Sequence, residues 1–344
     1  MKKFLKGIFC VALALTLTVG IGGCFVPVDE NSVNLLAISA SDVGVADCDY
    51  YVVAEPAASV KTGAIEGLKN VGSLQELYGN NGYPQAVIVA KKTVLQENYG
   101  AIREFLGAMV ENKAWLLDDQ TQMTDVINAV TSHLPEGTTP TFNAKTLTPD
   151  VIANCGINFS YANDCKQAVK DFIAKIKNVS ENMAGEVSDD FFVDVRSDDD
   201  DASTPNPKTY SVYAPDGAPA LALAKLMHDN ATFGDCQFNY NVVGASTIQT
   251  YVNPQNPTAD ICVLPSNLAS KLLGNGQTYK MLGTVTNGNL FLLSKNGTRI
   301  NSVNISQLRG KTVGVVNLPA VPGLVFKIVL NDHNIKFNEI SVGV

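Results

Sequence analysis

Short apolar runs rich in valine, isoleucine and leucine alternate along this chain with stretches whose apolar residues recur every three or four positions. Runs of the first kind read as buried strands, and the second spacing places apolar residues on one face of a helix. Residues 33–38, 50–53 and 85–90 are strands by this rule. Helical spacing follows in Ile102, Phe105, Leu106, Met109 and Val110, then in Met123, Val126, Ile127 and Val130, and again in Val169, Phe172, Ile173 and Ile176. Further strands fall at 210–214, 238–243, 261–264, 280–285, 290–294 and 312–316, with helices opening at Pro219 and near Val321. Such alternation predicts an α/β fold of mostly parallel sheets covered by helices on both faces.

The chain carries a faint internal echo. Ala46-Asp47-Cys48-Asp49 and Ala259-Asp260 each stand just before a buried strand, and each strand runs into a polar turn and a helix. Two similar lobes would produce that pattern.

The N-terminus bears on the compartment. Lys2, Lys3 and Lys6 precede an uncharged apolar run from Ile8 to Ile21, too short to span a bilayer comfortably and of the length of a signal-peptide core. Ile21-Gly22-Gly23-Cys24 resembles a bacterial lipobox, which implies removal of residues 1–23 and lipid attachment at Cys24. The alternative is cleavage elsewhere, with Cys24 an ordinary cysteine. The lipobox reading places the protein on the extracytoplasmic face of the cell membrane, held by its anchor.

A net charge of −8 without a basic cluster argues against nucleic acid as a partner. Cys48, Cys155, Cys165, Cys236 and Cys262 match no zinc or redox spacing. Buried thiols are expected, with a Cys155–Cys165 pair as the alternative that an exported chain allows. Residues 188–208 include Asp198-Asp199-Asp200-Asp201 and two prolines, and read as an acidic, unpacked linker. A calcium loop would need a glycine and a distal glutamate that are missing here.

Three stretches on the far side of that linker resemble the solute-binding lipoproteins of ABC importers, in the group that binds nitrate, sulfonates, taurine and thiamine precursors. Val212-Tyr213-Ala214-Pro215-Asp216-Gly217-Ala218-Pro219-Ala220 is similar to the opening strand, turn and helix of that family. Thr258-Ala259-Asp260-Ile261-Cys262-Val263-Leu264 is similar to a strand that delivers a ligand loop, and Leu308-Arg309-Gly310-Lys311-Thr312-Val313-Gly314-Val315 to the start of the second lobe. Residues 46–60 and 83–92 resemble later parts of that second lobe. The resemblance implies a type II, two-lobed fold like that of periplasmic binding proteins, with the lobe order apparently circularly permuted. Residues 24–187 then supply second-lobe segments and C-terminal helices, 209–300 the first lobe, and 301–344 the opening of the second. A gene fragment or a piece of a tandem array is the alternative. The partners implied are a small-molecule ligand, a permease with its ATPase, and the membrane through Cys24. A monomer without cofactor, metal or catalytic residues is expected.

In open α/β sheets, ligands bind beyond the carboxyl ends of the strands, where helix N-termini offer unpaired N–H groups. The candidate ligand contacts are therefore Asp216, Gly217 and Ala218, Ser266 and Asn267, Thr286 and Asn287, Asn317 and Pro319, and Glu55. Asp216, Ser266 and Asn267 could equally cap their helices. Acidic Asp216 and Glu55 at one cleft would favour an ammonium or ring nitrogen over a bare anion. Enzyme motifs are lacking: His133, His228 and His333 stand far apart in sequence, and no nucleophile elbow, phosphate loop or His-Glu-x-x-His occurs. Some relatives in this family act as thiamine-precursor synthases, but this chain lacks their histidine-rich cluster. The remaining alternative is a surface interaction lipoprotein that kept the fold and lost the ligand.

Overall fold

The computed structural model describes residues 30–79, 82–196 and 206–341. The proposed signal segment, Cys24 and the run Asp198 to Asp201 lie outside the described residues.

The chain forms an α/β structure around two six-stranded sheets. The first has the order β12 (Lys336–Ile340), β1 (Ser32–Ile38), β11 (Thr312–Val316), β2 (Tyr50–Ala54), β10 (Leu290–Ser294), β3 (Lys69–Ser73). The second has the order β5 (Ile157–Tyr161), β9 (Tyr279–Thr286), β4 (Ala86–Lys91), β8 (Ile261–Pro265), β6 (Thr209–Pro215), β7 (Gln237–Val243). The inner strands are apolar along their whole length because helices cover both faces. Val52, Ile261, Cys262, Val263 and Leu264 are all at 0% exposure.

The two sheets share a strand plan. In β1-β11-β2-β10-β3 and in β7-β6-β8-β4-β9, the fourth strand runs antiparallel to its neighbours and the first three run parallel. The sheets exchange those fourth strands: the chain leaves the second sheet after β9 to enter the first as β10, and leaves the first after β3 to enter the second as β4. Of the ten strand pairings, five are therefore parallel and five antiparallel, which corrects the expectation of mostly parallel sheets. A strand that arrives from across the molecule, without a crossover helix of its own sheet, is free to run antiparallel. The earliest strand, β1, pairs in parallel with both late strands, β11 and β12.

The Ala-Asp echo has a structural counterpart. It falls on Asp49, two residues after the Asp47 of the echo, and on Asp260, which directly precede β2 and β8, strands in equivalent places in the two sheets. Asp49 accepts a hydrogen bond from the Thr312 N–H at the start of β11 and lies 3.5 Å from Lys311. Asp260 accepts from the Ser211 N–H in β6 and pairs with Lys91 at 2.9 Å. Each aspartate satisfies a backbone donor on the neighbouring parallel strand, just ahead of the first paired residue.

At the two crossings, backbone meets backbone. Gly82, Gly156 and Gly288 all have positive φ, a region that costs L-residues with a Cβ energy. A Cβ on Gly82 would collide with the Asn287 carbonyl, and one on Gly156 with the Gly288 carbonyl. Beside them Tyr83 stacks on Phe172 at 5.6 Å and meets Tyr78 edge-on at 5.3 Å. Phe172 belongs to the long helix Ala162–Val179, which packs on β9 of the second sheet and on the helix Val321–Asp332 that covers the first. Lys175 and Asp332 join those two helices at 2.7 Å. One continuous core cluster consequently includes residues from both sheets, among them Val52, Val315, Val89 and Leu264.

The segment expected to be an unpacked linker from Ser188 onward is packed as far as Val195. Phe191 and Val195 are buried, and the Val193 N–H donates to the Met281 carbonyl at 3.0 Å. Four apolar residues among these acidic ones, Phe191, Phe192, Val193 and Val195, suffice to hold the segment against β9. Among the described residues no helix is long and apolar enough to cross a membrane. Cys155 and Cys165 are free thiols, as are Cys48, Cys236 and Cys262.

Candidate functional site

The carboxyl ends of the inner parallel strands of the two sheets meet. Beyond β2 comes the cis Glu55–Pro56 turn, and beyond β6 the turn Asp216-Gly217. These turns face one another: a Cβ built on Gly217 would lie 3.8 Å from the Pro56 ring. Gly217 has φ +99°, a conformation that glycine adopts freely, and this keeps the approach open.

Glu55 is only 5% exposed, although it is charged at neutral pH in an ordinary setting. Its carboxylate accepts from the Ser59 N–H at 2.9 Å and from the Ser59 hydroxyl at 2.7 Å, in the first turn of the helix Ala57–Ala64. Its backbone is clamped by Asn289, whose carbonyl accepts from the Glu55 N–H at 2.8 Å while its amide donates to the Glu55 carbonyl at 2.9 Å. No ion pair to Glu55 occurs among the described residues. Burial pushes its carboxyl above the usual glutamate range, and the Ser59 hydrogen bonds offset this only in part. The charge reaches across to the other sheet: the Cys155 thiol is raised first by its own burial and then by the negative Glu55.

An acid whose pKa is raised on folding contributes stability that is complete below its unfolded value and is lost as pH rises through the folded value. Glu55→Gln should therefore stabilise the protein at neutral pH, by about 1 kcal/mol, and leave it unchanged at pH 3. Urea midpoints at the two pH values check this; a variant destabilised at neutral pH would mean that the charge is compensated.

Asp216 is committed to its own half. One oxygen accepts from the Thr141 N–H and hydroxyl, both at 2.7 Å, and the other from the Gly217 N–H at 2.8 Å. It tethers the loop around Thr141 and is not a free ligand group. The Ser266 hydroxyl donates to the Pro84 carbonyl at 2.6 Å, so Ser266 braces a crossing and does not cap its helix, Ser266–Leu273. Asn267 donates to the Met183 carbonyl, leaving its own side-chain oxygen buried without a partner. Ala218 is buried at the start of its short helix.

Thr286 and Asn287 lie at the crossing from β9 to β10. The Thr286 carbonyl accepts from the Gln85 N–H at 3.0 Å, and the Asn287 N–H donates to the Gly156 carbonyl at 2.8 Å. The Gln85 carbonyl in turn accepts from the Ser266 N–H. The structure thus brings Glu55, Gly217, Ser266, Thr286 and Asn287 to one region. It does not bring Asn317 and Pro319 into hydrogen-bonded contact with them. Both are exposed beyond β11, and Asn317 (φ 59°) closes its own turn by accepting from the Ala320 N–H.

Sequence reasoning missed Gln85, Asn289, Cys155 and Ser59. Ser59 alone was legible, as a hydroxyl four residues after Glu55 and so one turn along the helix. The side-chain oxygens of Gln85, Thr286 and Asn289 are buried without a hydrogen-bond partner among the described residues. Two cavities, of about 450 and 660 Å³, adjoin on the first sheet, one beside Asp49 and Lys311 and the other along β3 from Lys69 to Glu76 and Asn154; neither is lined by Glu55, Asn289 or Thr286.

The histidines serve local contacts: His228 pairs with Asp229, His133 lies against Tyr240, and His333 meets the Leu77 carbonyl. Among the described residues, no group of three or more His, Cys, Asp or Glu side chains could hold a metal ion.

No family model, curated protein or solved structure matches this chain.

Proposed function

We propose that this chain is the extracytoplasmic solute-binding component of an ABC importer, a type II two-lobed binding protein that captures a small polar molecule by hinge closure. The observation that carries this reading is the reciprocal exchange of β4 and β10 between two sheets whose inner carboxyl edges face each other. Two crossings with tight backbone packing form a pivot, and the facing edges are where α/β sheets bind ligands. The apposed Glu55-Pro56 and Asp216-Gly217 turns correspond to a closed form, which the permease would recognise. The pairing of β1 between β11 and β12 is what a permuted second lobe would show. In this reading Cys24 carries the lipid anchor, and the permease and ATPase are separate chains.

Thermal unfolding of the purified protein against a panel of amines, pyrimidines, amino acids and sulfonates tests the reading. A solute at 100 times its Kd adds about 2.7 kcal/mol and should raise the midpoint by roughly 5 to 10 °C. A single transition that no class of solute moves would set the reading aside in favour of a surface lipoprotein without a ligand.

A further inference from the structure

The region between the two facing edges is short of donors and rich in acceptors. Backbone N–H groups that could meet an anion are already taken there by the protein's own carboxylates: Ser59 N–H in a first helical turn by Glu55, and the Gly217 and loop Thr141 N–H groups by Asp216. Among the partnerless buried groups at the crossing, oxygens dominate. The Asn289 side-chain oxygen has its identity fixed, because the amide nitrogen beside it donates to the Glu55 carbonyl. The Asn267 oxygen is fixed in the same way by the bond to Met183. Gln85 Oε1 completes the set of acceptors; Thr286, joined to Gln85 by a backbone bond, adds a partnerless hydroxyl that can accept or donate.

A carboxylate has about four acceptor positions, and Ser59 fills two of those on Glu55. The remaining lone pairs meet no cation among the described residues. A buried acceptor without a donor costs about 1–3 kcal/mol, so a solute that supplies donors relieves several such costs at once.

Resting on the solute-binding reading above, we propose that the solute is a small cation or N–H-rich heterocycle, an amine or amidine, whose donor group seats against the Glu55 carboxylate, with the partnerless side chains of Asn289 and Thr286 in the same region as its further partners. A nitrate, sulfonate or phosphate is excluded by the same arrangement, since it would place an anion against a buried carboxylate without a cation between them.

The test uses the full chain and two panels. One holds putrescine, choline, agmatine, benzamidine and 4-aminopyrimidine; the other holds nitrate, methanesulfonate, phosphate and acetate. Thermal shift finds the binders and calorimetric titration gives their affinities. The expected result is binding from the first panel only, weakened about 30-fold or more in Glu55→Gln and about 5-fold in Thr286→Val, the sizes that follow from losing a charged and a neutral hydrogen bond. The amide oxygen that Glu55→Gln introduces still accepts from Ser59, so that variant retains its fold, and Thr286→Val removes only an unpartnered hydroxyl. Binding from the anion panel, or a cation whose affinity Glu55→Gln leaves unchanged, overturns the inference while the solute-binding reading stands. Silence from both panels overturns the inference and the reading together.

Discussion

Gly156→Ala should cost about 3 kcal/mol or more and abolish the folded state under mild denaturant. Two costs add at this position. Its φ of +66° is one that an L-residue adopts only at about 1–2 kcal/mol. The new methyl would also run into the Gly288 carbonyl, at the crossing where β9 leads into β10. That carbonyl cannot retreat: Gly288 is itself packed, its own Cα side facing Gln75 and Tyr83, where a Cβ would lie 2.8 Å and 2.9 Å from their side chains. Overpacking a rigid site adds roughly 1–3 kcal/mol. Gly67→Ala supplies the control, because Gly67 has φ +75° with nothing within 4 Å of an added Cβ. It carries the conformational cost without the collision. Urea denaturation of both variants separates the two: equal losses would mean that the crossing is not tightly packed.

Phe172→Ala should cost about 3–5 kcal/mol, lowering the thermal midpoint by on the order of 10 °C. Phe172 has no exposed surface, and it stacks on Tyr83 while meeting Tyr78 edge-on at 6.1 Å. Tyr83 precedes β4 and Tyr78 follows β3, so the three rings join the helix Ala162–Val179 to a crossing. Tyr83 is almost wholly buried as well, so the space left by the lost ring opens inside the core and not onto solvent. Because this cluster couples the two sheets, the variant should also unfold in two steps where the parent unfolds in one. Differential scanning calorimetry checks both: a single transition shifted by less than 2 °C would mean that the rings are peripheral to the coupling.

The inner strands were readable because burial on both faces demands unbroken apolar runs, as in Ile261 to Leu264 and Leu290 to Leu293. The edge strands β3 and β5 were not. In β3 only Val71 is buried, and in β5 only Ile157, so neither shows an apolar run or a clean alternation. Both are held chiefly by pairing to β10 and β9 on one side. Of the site, the turns after β2, β6 and β8 were legible from a strand followed by Pro, Gly, Ser or Asp and then a helix. Asn289 and Gln85 were invisible because nothing local distinguishes an amide that clamps a distant backbone from one that faces water. The tie from Asp216 to Thr141 was invisible for the same reason, since the two lie 75 residues apart.

Local pattern in the sequence determined which segments are strands and helices, since periodicity of burial is written into each segment separately. It also placed glycine where backbone must turn at positive φ, as at Gly217, and acid or proline where helices begin. The tertiary structure alone decided that β4 and β10 change sheets, that half the pairings run antiparallel, and that Glu55 is buried without a cation among the described residues. Those outcomes depend on which distant segments pack together, and the free energy of that packing belongs to pairs of elements that no single stretch of the chain contains.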